Sequence, residues 1–568
     1  MSDSPTASLE KPWAEPVARI GWTLLILATL YVCYFSQLGA IGFVGPDEPR
    51  YAWIARAMTE TGDWVTPRLY GKPWFEKPPL YYWGAAASFK VFGVSEAAAR
   101  LPSAISALLA TLALAWLAWR MYGAETARWV LLLLPTTAGM IGFSHAAATD
   151  MPFSGMLTIA MVCAAVVLRL VPTSEGGGSA AHTNSSTPWA ALILFGFFLG
   201  LAVLAKGPAG IILCGGAIFF WALLTKRWRD AFRLLHPAAI IAFCLTALPW
   251  YILCARRNPD FFRIFIIEHN FERYLTPEFQ HIQPFWFYGA VLAVALLPWT
   301  ALALWGAFVG SAQVWRSRRC SPHSLYLLAW ALFCLVFFTI SKSKLPGYIL
   351  PAIPAIGLLM AGSRATLAGG RTKSLAMSLF VLSLFFVCCL ILVGYFAPHA
   401  SRGNPRFGVA AGVILAVLGL ANFLLGTGVS FPTNSWFGRG LAACCVLPVL
   451  FAVSMTDRLA SSFFLTDPSG RTLAEMLQQQ AIPTAELTIA QPMNRGQHYS
   501  LNFYLHREIP DWDQEHPEEG YLLTGKKLSE SLSVHGYLLN EIPFDLNRAG
   551  FFLYRVKRQS PAGSGELH

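Results

Sequence analysis

Runs of about 20 predominantly apolar residues, the length a helix needs to cross a bilayer, recur along most of this chain. They predict thirteen spans, near 18–43, 97–119, 127–147, 152–171, 189–205, 208–224, 234–254, 287–309, 323–340, 347–362, 374–396, 407–427 and 438–456. The first run exceeds the roughly 7–15-residue core of a cleaved signal peptide, so it reads as a retained anchor. From Asp457 the pattern changes. Short β-rich runs (AELTIAQ, SLNFYLHREI, GYLLTG, FFLYRV), separated by turn signals, predict a small α/β domain over 457–568, after a membrane domain over 1–456. The segment TSEGGGSAAHTNSSTP (173–188) reads as a flexible linker.

Composition agrees with the pattern. Of 568 residues 55% are hydrophobic and 13% charged, against about 25% charged in a soluble domain. A disulfide scaffold, a coiled coil and a disordered tail protein are excluded, and a polytopic α-helical membrane protein remains. Ten of the eleven cysteines lie in apolar runs and Cys320 in a basic loop, so no disulfides are expected. The region from Asp457 holds 10 basic and 14 acidic residues, which leaves the membrane part with 32 minus 17, or +15. Arg120, Arg128, Lys226, Arg227, Arg229, Arg233, Arg316, Arg318, Arg319, Arg364, Arg371 and Lys373 all fall on one alternating set of loops. By the excess of Lys and Arg on the inner side, that set is cytoplasmic. The N-terminus is then inside and the region after 457 outside. The chain's net +11 belongs to these loops and gives no reason to expect nucleic acid.

Carboxylates are scarce, and none lies between Glu278 and Asp457. Ionisable groups at membrane depth are expensive and tend to be functional. Asp47 directly follows the first span in GPDEPRY, and Asp150 sits in SHAAATDMPF, a short turn between two apolar runs. The bland reading of Asp150 is a helix N-cap, that of Asp47 a solvated loop acid. Glu48 reads as the solvated neighbour. The first outer loop, 44–96, is too long for a connector. Tyr51, Ile54, Ala55 and Met58 recur in it at helical spacing, which predicts an interfacial helix. Further on, FEKPPLYYW holds Glu76 and Lys77 before two stiffening prolines and beside Tyr81, Tyr82 and Trp83. Lys77 can bind a phosphate as a point charge; the alternative is an interfacial lysine reaching for water. Later outer loops add Lys206 in LAKGPAG, His269 and Arg273 in EHNFERY, and Lys342, Lys344 and Tyr348 in SKSKLPGYILP. Carboxylates and cations converging from five loops on one face fit a lipid-borne phosphate substrate better than a pore.

At these residues the chain resembles the aminoarabinose lipid A transferases and related polyprenyl-phosphate-dependent glycosyltransferases of the GT-C fold. The resemblance rests on the block DEPRYAWIARAMTETGDWVTPRLYGKPWFEKPPLYYW, followed by TDMPF, LAKGPAG, EHNFERY and SKLPGYILP. Trp53 departs from it, standing where a polar residue is expected. The resemblance implies a GT-C fold of about thirteen spans with a periplasmic α/β domain, in the bacterial inner membrane. It implies an inverting transfer of 4-amino-4-deoxy-L-arabinose from undecaprenyl phosphate to a lipid A phosphate by a monomer. Asp47 and Asp150 become the acidic pair at the reacting centre, with Asp47 either base or substrate orienter. Arg50, Lys77, Arg273 and Tyr348 become donor-phosphate contacts. Glu76, Tyr81, Tyr82, Lys206 and Lys344 become further substrate contacts. Glu76 and His269 become ligands to a divalent metal, the one cofactor implied. Two other readings stand beside this one: a sibling transferase acting on protein, hopanoid or another glycan, and a lipid-sugar transporter. Transporters bind near the midplane on broken, repeated helices, whereas the acids here lie at span ends.

Overall fold

The computed structural model describes residues 14–171, 187–265, 268, 282–300, 303–304, 307, 321–367, 446–447, 449–454, 469–490, 493–512, 517–524, 537–542 and 551–559. The predicted spans 374–396 and 407–427 lie outside these residues, as does most of 438–456. Among the described residues five helices are long and apolar enough to cross a membrane. They are α4 (Glu96–Tyr122), α7 (Asp150–Val167), α8 (Trp189–Lys206), α11 (Pro237–Arg257) and the helix Pro322–Ile340. Further helices are α1 (Ala14–Tyr34), α9 (Ala209–Thr225) and the five-residue α10 (Trp228–Phe232).

Three predicted spans take other forms. The run 127–147 breaks at Pro135, which has no N–H to continue the ladder. It becomes α5 (Ala124–Leu133) and α6 (Ala138–Ser144), bent by 62°. The run 347–362 opens as a 3-10 helix, Pro346–Ala352, with Pro351 inside it, before the α-helix Ile353–Leu367. The first span is helical only to Tyr34, well short of residue 43.

Glycine lets the bundle close tightly, as small residues do wherever helix backbones approach. A Cβ at Gly155 of α7 would stand 2.8 Å from the Ser106 carbonyl of α4, and one at Gly196 of α8 would stand 2.0 Å from that of Ala239 in α11. The core runs through α4, α5, α7, α8, α9 and Pro322–Ile340, with α7 buried on nearly every side.

The first loop folds onto one end of this bundle. It holds α2 (Asp47–Thr61), a two-stranded ribbon of β1 (Arg68–Leu69) and β2 (Lys72–Pro73), and α3 (Leu80–Phe92). Helix α2 carries its acids in the first turn, where the helix dipole favours them, and stops at Gly62 with φ +72°. Its apolar face, Tyr51, Ile54, Ala55 and Met58, is buried against Tyr81, Tyr82 and Phe89 of α3 and against Phe503. The amphipathic pattern therefore serves protein packing.

The C-terminal region contributes a four-stranded sheet. Its order is β3 (Leu487–Ala490), β4 (Glu519–Thr524), β6 (Phe552–Arg558), β5 (Tyr537–Ile542). Strands β3 and β4 are parallel and the other pairs antiparallel. The run SLNFYLHREI (500–509), read from its residues as β-rich, instead begins inside the helix Arg495–Leu505, whose last six residues it supplies. The Asn494 side chain caps that helix by accepting from Gly496 N at 2.8 Å. Leu501 and Leu505, one turn apart, face the sheet's core.

Candidate active site

Four loops meet at the bundle end where α7 begins and α8 stops. Asp150 is the first residue of α7 and Lys206 the last of α8, so two antiparallel helices deliver a carboxylate and an ammonium to one place. Lys206 Nζ donates to Asp150 Oδ1. Thr149, not Asp150, takes the N-cap position, so the bland reading of Asp150 does not hold. Lys206 also lies 4.6 Å from the ring centroid of Tyr348 and 5.6 Å from that of Phe153, an attraction between cation and ring face. Gly347 presses its backbone against the acid, where a Cβ would stand 2.5 Å from Asp150 Oδ1.

The second group comes from the first loop. Arg50, one turn into α2, donates through Nη2 to Asp47 Oδ1 and through Nη1 to Glu76 Oε2 at 3.3 Å. Lys77 Nζ reaches Glu76 Oε1 at 3.2 Å. The Arg50 guanidinium is walled by Tyr51, Trp74 and Tyr499, at 5.8, 5.4 and 5.4 Å from their ring centroids. Burial lowers its affinity for the proton, but the charges of Glu76, Tyr51 and Asp47 outweigh that and hold it above its ordinary value. Burial, then Glu76 and Asp47, pushes the Tyr51 phenol well up; burial and Glu76 do the same at Tyr82. Both stay neutral. The Asp47 side chain is 47% exposed, the openness a substrate contact needs.

Glu48 overturns its sequence reading. It is 8% exposed and takes Arg100 of α4 on both oxygens, at 3.0 and 2.9 Å. It also accepts from the backbone N–H groups of Val44 at 2.8 Å and Ala147 at 2.7 Å. Arg100 donates onward to the carbonyls of Leu38, Ile41 and Gly42, at 2.8, 2.6 and 2.9 Å. This hub ties the residue beside Asp47 to a residue three before Asp150. Three peptide units reach at most about 11 Å, so the backbone N–H that Glu48 holds lies that close, along the chain, to Asp150. Arg100 was missed although a signal existed, since it is a lone arginine inside the predicted span 97–119.

The other candidates divide. Tyr81 is buried and donates its hydroxyl to the Ala99 carbonyl at 2.9 Å, and Tyr82 is equally enclosed, so both form the floor. Lys344 is 8% exposed and donates to the Ser341 carbonyl at 2.8 Å, bracing its own turn. His269 and Arg273 lie outside the described residues. Among the described residues no three His, Cys, Asp or Glu side chains stand close enough to hold a metal ion. The Glu76 carboxylate meets two cations, so the metal reading stays with the resemblance.

Comparison with known proteins gives this chain's relatives. Residues 20–265 match the family described as dolichyl-phosphate-mannose-protein mannosyltransferase. The undecaprenyl phosphate-alpha-4-amino-4-deoxy-L-arabinose arabinosyl transferase of Edwardsiella ictaluri is 30% identical over 469 residues, 81% of each chain. The protein of the same name from Erwinia tasmaniensis is 29% identical over 545 residues, 89% of this chain and 93% of its own. The crystal structure of ArnT from Cupriavidus metallidurans bound to undecaprenyl phosphate superposes with a TM-score of 0.73 and 24% identity, covering 94% of this chain and 98% of that one. The fold is thus the GT-C fold of that structure.

Proposed function

The chain belongs to the family of undecaprenyl phosphate-aminoarabinose arabinosyl transferases, and on that premise we propose that it moves 4-amino-4-deoxy-L-arabinose from undecaprenyl phosphate to a lipid A phosphate. Transfer inverts the anomeric centre and takes place on the periplasmic side of the bacterial inner membrane. One observation carries the reading. Two acids from distant parts of the chain, each gripped by a cation, are held at one bundle end through the hydrogen bond between Glu48 and Ala147 N.

A sugar phosphodiester carries one negative charge and gains a second as the polyprenyl phosphate leaves. Cations prearranged in a dry site stabilise that gain. Arg50 and Lys77 are suited to it, because they already share the Glu76 carboxylate and can turn toward a phosphate without new residues being recruited. Arg273 and Tyr348 join them by the resemblance. The acceptor phosphate is already anionic, so a general base adds little and positioning dominates. Asp47, with one oxygen on Arg50 and half its surface open, then orients the sugar through its ammonium, and Asp150 with Lys206 closes the opposite wall. In the same reading the membrane domain covers 1–456 with thirteen spans, the outer domain covers 457–568, and the enzyme works as a monomer.

The test is mass spectrometry of lipid A from cells with and without the protein. A pentosamine increment on its phosphates, lost with Asp47→Asn, is expected. Lipid A unchanged by the protein, alongside transfer to another acceptor, would overturn the acceptor.

A further inference from the structure

The C-terminal region does more than lie near the site. Helix Arg495–Leu505 rests on α2, where Phe503 joins its buried face, and on the segment before it, where Phe503 meets Phe43 edge-on with ring centroids 4.8 Å apart. Tyr504 Oη bridges the site's own loops, donating to Glu96 Oε1 at 2.8 Å while accepting from Phe43 N at 3.1 Å. At the helix start a Cβ on Gly496 would meet the Gly45 carbonyl carbon at 2.8 Å, which puts the first turn against the bend that precedes Asp47. Arg495 and Tyr499 stand one turn apart at that end of the helix. Two guanidinium groups stand near the Tyr499 ring, Arg50 and Arg495, each 5.4 Å from its centroid. Arg495 Nε and Nη2 both donate to the Tyr499 hydroxyl, at 3.3 and 3.2 Å.

The two arginines differ in charge balance. Arg50 is buried and faces Asp47 and Glu76. Arg495 is exposed and donates to the Tyr499 hydroxyl, while Asp511 pairs with His498 at 3.6 Å. An arginine has five N–H donors; two fix its direction and, among the described residues, the other three meet no acceptor. We infer that Arg495, aimed by Tyr499, grips the anionic group of the acceptor, a lipid phosphate monoester, at the rim of the site opposite the donor phosphate. Tyr499 touches both arginines, the donor's near its ring and the acceptor's at its hydroxyl. The inference rests on the proposed transfer and names the side of the site that takes its second substrate.

Steady-state transfer in neutral detergent micelles, with undecaprenyl-phosphate aminoarabinose and lipid A varied separately, tests it. Wild-type turnover comes first; if the unaltered enzyme transfers nothing to lipid A, the proposed function fails rather than this inference. For Arg495→Gln the acceptor KM should rise about tenfold, the size of one charge-assisted hydrogen bond, with kcat and donor KM within about twofold. Arg495→Lys, which keeps the charge without the fork, should recover part of the loss. Tyr499→Phe, which keeps the ring over Arg50 but releases Arg495, should raise the acceptor KM less. An unchanged acceptor KM in Arg495→Gln would overturn the inference, as would a change confined to the donor KM. A third arm adds phosphatidylglycerol to the micelles. If Arg495 serves anionic headgroups instead, added lipid raises the wild-type rate alone and acceptor KM in neutral detergent is the same for both proteins.

Discussion

Asp47 and Glu48 are neighbours in sequence, and the regions around them work under opposite rules. Around Asp47 the charges are partly open, each carboxylate shares a cation, and a guanidinium stands among aromatic walls. Around Glu48 every donor and acceptor is matched inside the protein, with Arg100 on one side and two backbone N–H groups on the other. A site that must receive a new anion needs cations able to change partners. A scaffold that must keep two acids in register needs a pair with no reason to change. Burying the second kind is costly, and removing one partner costs more than the pair contributes, because a bare charge is left in low dielectric.

Arg100→Met should therefore give the largest effect, a loss of about 3–5 kcal/mol of stability from the orphaned Glu48, read as an early unfolding midpoint in detergent. If its unfolding matches wild type, the hub is no scaffold. Asp47→Asn and Asp150→Asn should show the converse. Unfolding stays near wild type while transfer falls by about 10²–10³, the range for one electrostatic contact at a reacting centre. Full turnover in both would remove them from the chemistry. Gly347→Ala displaces Asp150 without touching its charge, since the new Cβ falls 2.5 Å from Oδ1. A loss of about 10–100-fold is expected, the scale for a misplacement near 1 Å, in kcat rather than donor KM. Tyr504→Phe loosens the roof by about 1 kcal/mol, measurable as a small fall in midpoint.

The smallest effect is alkaline. Tyr51 and Tyr82 are raised well above their ordinary value, by burial first and then by the acids around them. A phenol raised in the folded state gives its full stability below the unfolded pKa of about 10 and loses it as pH climbs beyond. The unfolding midpoint should be level to about pH 10 and then decline, more shallowly in Tyr51→Phe. A decline that begins near neutrality would contradict the burial of these rings.

Helical spans were legible because twenty apolar residues have few alternatives, and α4, α7, α8 and α11 fall close to their predicted limits. The loop cations and acids at span ends were legible for the same reason, as charge is rare enough here to be conspicuous. Pairing was not. Nothing local separates Asp47 from Glu48, since the difference lies in Arg100, 52 residues away. Sequence periodicity also could not tell that the apolar face of α2 would meet Phe503 instead of lipid. The helix in SLNFYLHREI was hidden because Phe, Tyr and Leu suit a strand equally well, and the cap at Asn494 lies outside the run.

The roof over α2 has a consequence for how the enzyme is made. Phe43 and Tyr504 are 461 positions apart, so at roughly 5–20 residues per second a ribosome needs on the order of 20–90 s to produce the second after the first. For most of that interval the bundle helices around Asp150 are already made while Tyr499 and Tyr504 do not yet exist. The contacts that the first loop and Arg50 make with Tyr499 and Tyr504 therefore form only at the last stage of folding.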